Sequence, residues 1–262
     1  MSPENAQDRV IAAVDRHGAL GIAVSGGVDS MALAYVAHRF SRARIAMFHA
    51  VSPAVPPHAT MRVQEYAQRE QWALTLIDAG EFDDARYVAN PVNRCYFCKS
   101  NLYARIASSC DTPIASGTNL DDLGDFRPGL AAAAERRVVH PYVEARVDKA
   151  TLRAMARHHG LHDLAELPAQ PCLASRVETG IAIDADDLAF IDRVERAIAS
   201  LGGDTPVVRC RVTHAGVVVE LDGGGGSMAE PATRLAGRMC AESGRTFLGV
   251  RPYRRGAAFL VA

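Results

Sequence analysis

The stretch LGIAVSGGVDSMALAYVAHRF, from Leu20 to Phe40, constrains the fold more than any other. Leu20 to Ser25 reads as a short buried strand and Ser30 to Phe40 as a helix, with a glycine turn between them. Gly26 and Gly27 let the backbone turn sharply and approach a ligand closely. The N–H groups freed there, with the helix N-terminus, make an anion site to which Ser25 and Ser30 add hydroxyl donors. The spacing is not that of a Walker A loop, and the lysine of that motif is missing. Asp29, in the first turn of the helix, reads from its position as a helix cap.

The alternation continues downstream. Residues 10–20 read as a helix, 44–52 as a strand, 61–72 as a helix, 73–78 as a strand, 99–110 as a helix and 112–119 as a strand running into a loop. Strands alternating with helices predict an α/β fold with a doubly wound parallel sheet, whose site lies at the carboxyl ends of the strands. Both SGGVDS and SGTNLDDLGDFRPG fall at such ends. Residues 147–161 read as a helix with Asp148 as N-cap and Gly160 past its end. Pro168 and Pro171 then break regular structure, which sets one domain at 1–168 and a second at 169–262. In the second, Leu188, Ile191, Val194, Ile198 and Leu201 share one helical face behind a cap at Asp184, and 207–222 alternates as a hairpin, giving a small α+β unit. The glycines at 223–226 lack the strand and helix that a phosphate loop needs and read as a flexible turn.

The 262 residues are 48% hydrophobic and 23% charged, with a net charge of −1. That gives no reason to expect nucleic acid or an anionic membrane as main partner. No apolar run suits a leader or a bilayer span, so the expected location is cytoplasmic, with the six cysteines as thiols, cluster ligands or metal ligands rather than disulfides. Arginine supplies 27 of 29 basic groups; Lys99 and Lys149 are the only lysines, a bias read first as codon usage and only locally as function.

Cys95 and Cys98, in NPVNRCYFCKSNLY, are three residues apart. By themselves they read as half a zinc site, a redox dithiol, part of a cluster site or two unrelated thiols. Cys110, Cys210 and Cys240 belong to no motif and read as small buried hydrophobes. Arg209 and Arg211 alternate with apolar residues, so they project from one strand face about 7 Å apart, a spacing suited to a phosphate or carboxylate.

The strand–SGGVDS–helix arrangement resembles the PP-loop ATP pyrophosphatases. Together with NPVNRCYFCKSNLY, ASGTNLDDLGDFRPG and PCLASR, in this order, it resembles the LarE family of ATP-dependent sacrificial sulfur transferases over about residues 18–255. The resemblance implies ATP and Mg2+, with Ser25, Gly26, Gly27, Asp29, Ser30, Gly117 and Thr118 around the nucleotide, Asp29 as a metal or pyrophosphate contact, and adenine near Ala50. It implies adenylation of the carboxylates of a small mononucleotide, pyridinium-3,5-biscarboxylic acid mononucleotide, and their conversion to thiocarboxylates for a nickel-pincer cofactor. Cys172 matches the family's sulfur-bearing cysteine. Cys95, Cys98 and Cys172 together match the family's three-cysteine members, which implies a 4Fe–4S cluster with one iron open for a transferable sulfide; sacrifice of the Cys172 sulfur itself is the alternative. Arg209, Arg211 and Arg254 match arginines on the substrate phosphate, and Glu195 and Glu220 match acidic residues near the active site. Asp122, Asp125 and Arg127 lie in the nucleotide-facing loop, where Mg2+ and substrate roles compete with loop capping. A homo-oligomer, a hexamer in the family, is also implied, with 1–168 as the PP-loop ATP-binding domain and 169–262 as the substrate-binding and oligomerisation domain; the sulfur donor is left open. Two stretches depart from the family: LAELPAQP before Cys172, and the glycine-rich run after Glu220. A cluster-dependent PP-loop tRNA thiolase is the competing reading, against which the lack of a basic face or RNA-binding extension speaks.

Overall fold

The computed structural model describes residues 1–124, 127–202 and 207–253. The chain divides into two compact units, residues 1–84 with 93–170, and residues 85–92 with 171–262. In chain order the first holds α1 (Pro3–Asp15), β1 (Ala19–Ala23), α2 (Val28–Phe40), β2 (Arg44–Ala50), α3 (Pro57–Glu70) and β3 (Leu74–Ile77). The chain passes through α4 (Ala85–Val88) in the second unit and returns for α5 (Arg94–Ser109), β4 (Ile114–Ala115), α6 (Gly129–Glu135), α7 (Pro141–Glu144), α8 (Lys149–His158) and α9 (His162–Ala165). The second unit continues with α10 (Ala185–Ala199), β5 (Val208–Thr213), β6 (Gly216–Leu221), α11 (Ala229–Glu242) and β7 (Phe247–Pro252).

The first unit is the expected α/β layer. Its sheet is parallel in the order β3-β2-β1-β4. The order reverses between β1 and β4, and in doubly wound sheets ligands bind at that crevice. Leu20, Ile22, Met31, Leu33, Met47, Tyr142, Leu152 and Met155 form the core on one side, and Phe48, Tyr103, Ile106 and Ile114 that on the other. Several boundaries differ from the sequence reading. The first helix runs from Pro3 to Asp15 rather than over 10–20, and Gly18 in the left-handed region (φ 66°) turns the chain into β1; the third begins at Pro57 rather than Met61. The fifth begins at Arg94 rather than Lys99, which puts both cysteines of the pair in its opening turns.

In the second unit β5 and β6 form the expected antiparallel hairpin, and β7 adds in parallel to β6, a strand the alternation did not reveal. Asp184 caps α10 by accepting from the N–H groups of Asp186 and Asp187. Leu188, Ile191, Val194 and Ile198 are buried as expected, whereas Leu201 lies beyond the last helical turn and is exposed. The glycine run belongs to a 3-10 helix, Asp222–Met228, rather than to a flexible turn. The segment 85–92, given to the first domain by the sequence, is tied into this unit by Asn90. Its Nδ2 donates to the carbonyls of Glu178 and Ile181, both at 2.9 Å, and its own carbonyl accepts from Gly180 N. No helix among the described residues is long and apolar enough to cross a membrane.

Candidate active site

In the first unit the glycine loop leaves β1 at the switch point and opens α2 with Gly27 as N-cap, a residue that has no side chain to satisfy the first N–H groups. Gly26 is fixed by the protein itself: its φ is +82°, and a Cβ would stand 2.7 Å from the Ala59 carbonyl oxygen. Gly27 is different. A Cβ there would meet only Ser25 Oγ, at an ordinary 3.5 Å, so packing does not require a glycine. Ser30 Oγ accepts from Ser25 N at 3.0 Å, lies 3.0 Å from Ser25 Oγ and donates to the Gly27 carbonyl, which closes the loop on itself.

The loop after β4 lies against the first turn of α2. A Cβ on Gly117 would stand 2.7 Å from Ser30 N, 2.8 Å from the Asp29 carbonyl carbon and 2.9 Å from Ser30 Cα. Thr118 Oγ1 and His140 Nδ1 each lie 2.9 Å from Ser116 Oγ. Burial lowers the pKa of His140 against the raising influence of Glu144 and Asp122, and that of His49 against its bond to the Val24 carbonyl. Ala50 ends β2, on the same edge of the sheet.

Asp29 does not cap its own helix with a side-chain bond: both of its oxygens lie 2.6 Å from Lys149 Nζ, with Asn119 Nδ2 at 3.4 Å. Lys149 is set there by the cap on α8, where Asp148 accepts from Thr151 N, and by its own N–H donating to Asp121. Asp122 accepts from Asn119 N and pairs with Arg127 at 2.7 Å, so these two sequence-nominated residues meet within one loop. Arg62, on α3, donates to the Gly26 carbonyl at 2.8 Å. Lys149, Arg62, Asn119 and His49 were missed by sequence reasoning. Only Lys149 carried a signal, as one of two lysines among 27 arginines. Cys95 and Cys98 sit at i and i+3 on α5, hence on one helix face.

In the second unit the segment Leu173–Arg176 forms a 3-10 turn with Cys172 as its N-cap, and Arg176 and Glu195 make a two-point ion pair with both bonds at 3.0 Å. The Glu195 carboxylate, with 14% of its side chain exposed, is thus held by Arg176, and it also accepts from Cys210 N at 2.9 Å. Glu220, 1% exposed, is bracketed by Arg211 at 2.6 Å and Arg251 at 2.9 Å. Arg209 is buried, with its Nη1 donating to the Val208 carbonyl and its guanidinium 5.8 Å from the Tyr253 ring centre. Burial and the nearby Arg176 charge push its pKa down. The Arg254 and Asp125 assignments lie outside the described residues. All six cysteines are thiols; Cys210 and Cys240 are fully buried as expected, while Cys110 is only half-buried. Among the described residues, no three His, Cys, Asp or Glu side chains are grouped to hold a metal ion.

No protein-family model matches the chain. It is 37% identical over 192 residues to "Uncharacterized protein slr1717" of Synechocystis sp., covering 72% of this chain and 71% of that protein. It is 24% identical over 178 residues to "Uncharacterized protein MJ0830" of Methanocaldococcus jannaschii, covering 66% and 67%. To the pyridinium-3,5-bisthiocarboxylic acid mononucleotide synthase of Lactiplantibacillus plantarum it is 29% identical over 136 residues, 50% of this chain and 48% of that protein.

Proposed function

The chain belongs to the family of the Synechocystis protein slr1717, and we propose that it is an ATP-dependent sulfur transferase that converts carboxylates of a pyridinium biscarboxylate mononucleotide to thiocarboxylates. The name of the L. plantarum relative supports a synthase of this kind. The observation that carries the nucleotide half is the construction at the switch point. Gly26 and Gly117 are demanded by the protein's own backbone, but Gly27 is not, which is what a loop approached closely by phosphate oxygens requires.

A carboxylate is a poor electrophile because its charge is delocalised and oxide is a poor leaving group. Attack of a carboxylate oxygen on the α-phosphorus of ATP forms the acyl–adenylate and releases pyrophosphate. A sulfur nucleophile then adds to the carbonyl carbon; the C–S bond forms, the C–O bond to AMP breaks and AMP carries away the electron pair. The loop N–H groups at the start of α2 hold the phosphates. The Asp29 carboxylate would hold Mg2+ once the Lys149 ammonium leaves it, and the released ammonium can follow the phosphate charge.

Cys95 and Cys98, two thiols on one face of α5, fit two ligand positions of a 4Fe–4S cluster, and Cys172 is the third ligand in this proposal. Such a cluster, when bound, supplies a labile sulfide. Without it, the Cys172 thiolate is the nucleophile and forms a thioester; β-elimination then removes the Cys172 α-proton and breaks the Cβ–Sγ bond, which releases the thiocarboxylate and leaves dehydroalanine at 172. Anaerobic purification with iron and sulfide analysis separates the two: an iron-free, colourless protein after reconstitution removes the cluster version. The function itself is tested by release of AMP and pyrophosphate from ATP in the presence of the mononucleotide. Release with tRNA but not with the mononucleotide would identify a thiolase instead.

A further inference from the structure

The segment Pro171–Arg176 that carries Cys172 is bonded to one guanidinium along much of its length. Arg176 Nη1 donates to the Pro171 carbonyl at 2.6 Å, to the Cys172 carbonyl at 3.1 Å and to Ser175 Oγ at 3.1 Å. The other edge of the same guanidinium, Nε and Nη2, is held by the two oxygens of Glu195. Glu195 is itself fixed, because Oε1 also accepts from Cys210 N on β5. The pair is buried, with 4% of the arginine side chain and 14% of the glutamate side chain exposed. A guanidinium is planar and its donors form a rigid fork, so a carboxylate that fixes one edge also sets where the other edge points.

We propose that Arg176, oriented by Glu195, is the positioning residue for Cys172. It holds the backbone on either side of the Pro171–Cys172 bond and so sets the direction in which the Cys172 side chain leaves the loop. Glu195 then acts through Arg176 rather than on the substrate. A second pair braces the far end of the segment: Arg211 Nη1 donates to the Ser175 carbonyl at 3.2 Å while its Nε is held by Glu220. Glu195 from α10 is thus the carboxylate bonded to the Arg176 guanidinium, and Arg209 from β5 lies near enough to feel its charge. The functional meaning of this clamp rests on the reading of Cys172 as the sulfur-handling residue; the clamp itself does not.

The test compares the full-length native protein with Glu195→Gln and Arg176→Lys. Glutamine keeps the shape and loses the charge; lysine keeps the charge and loses the fork. Loss of one or two buried charge-assisted bonds is expected to speed amide hydrogen exchange over residues 172–177 by about tenfold or more in both variants, with α10 and the β5–β6 hairpin protected as in the native protein. Thiocarboxylate formation is expected to lose about tenfold in kcat, with KM for the mononucleotide moving less than about threefold, the signature of misplaced chemistry rather than lost binding. Native exchange in the loop of both variants overturns the proposal, as does faster exchange spread through the whole hairpin. An Arg176→Lys protein with native exchange and native kcat also overturns it. If Arg176→Lys does not fold, Glu195→Gln decides alone. A native protein that forms no AMP with the mononucleotide would sink the sulfur-transferase reading, while the exchange measurement would still judge the clamp.

Discussion

Gly117→Ala and Gly27→Ala form a matched pair whose outcomes should separate packing from ligand approach. At Gly117 the added methyl would stand 2.7–2.9 Å from three backbone atoms of Asp29 and Ser30. Non-bonded carbon contacts are most favourable near 3.5–4.0 Å, so the loop would have to retreat by roughly 0.7 Å. No rotamer relieves the overlap, because every atom met is main chain. Overpacking of this kind costs about 1–3 kcal/mol, and the retreat carries Asn119 away from Asp29, a bond already 3.4 Å long. At Gly27 the methyl has room and φ is −82°, which any residue adopts. That substitution should leave stability within about 0.5 kcal/mol or raise it slightly, through a less flexible unfolded chain. Urea unfolding followed by circular dichroism reads the stability, and titration calorimetry with ATP and Mg2+ reads the affinity. Gly117→Ala should lose both. Gly27→Ala should keep its stability and lose at least about tenfold in ATP affinity, equivalent to roughly 1.4 kcal/mol. A Gly27→Ala protein that binds ATP like the native one would refute the argument that this glycine makes room for phosphate.

Other consequences can be checked in parallel. Glu220→Ala should destabilise the second unit by about 3–5 kcal/mol, because it leaves Arg211 buried without its carboxylate; a thermal melt with an unchanged midpoint would contradict this. Asp148→Ala removes the cap that accepts from Thr151 N, and should cost about 1 kcal/mol by urea titration. Burial lowers the pKa of His49 below its ordinary 6.5, so its contribution to stability is whole above that value and is lost as the pH falls from it toward the folded-state value. Unfolding curves from pH 8 to pH 4 should therefore slope downward on the acid side, and His49→Gln should flatten that slope; an unchanged slope would contradict the assignment.

The architecture was legible where it rests on local chemistry. An apolar strand, two glycines and a helix can be arranged in few ways, and the Asp148 and Asp184 caps were visible because an aspartate before an apolar periodic run has one ordinary use. The edge strand β7 was not legible: it pairs in parallel with β6 across α11, and nothing in its own residues announces a distant partner. The α5 boundary was misjudged because Arg94, Cys95 and Cys98 lack the periodic apolar pattern that marked the rest of that helix, although Arg94 is itself buried. In the site, sequence nominated Asp29 but not Lys149, which lies 120 positions away and meets it only through the fold. It nominated Glu195 and Glu220 as active-site acids, but that each is held by arginine could not be seen before Arg176, Arg211 and Arg251 were placed around them.

The central claim is tested most directly by the mass of the product. The protein, ATP, Mg2+ and the pyridinium biscarboxylate mononucleotide are combined anaerobically, and both the nucleotide and the Cys172 peptide are analysed by mass spectrometry. The account predicts a mononucleotide in which a carboxylate oxygen has been replaced by sulfur, formed in step with AMP, with Cys172 intact if a cluster supplies the sulfur and lacking the elements of hydrogen sulfide if the cysteine does. AMP formation with no sulfur-containing product, or an unchanged mononucleotide with no AMP, would contradict it.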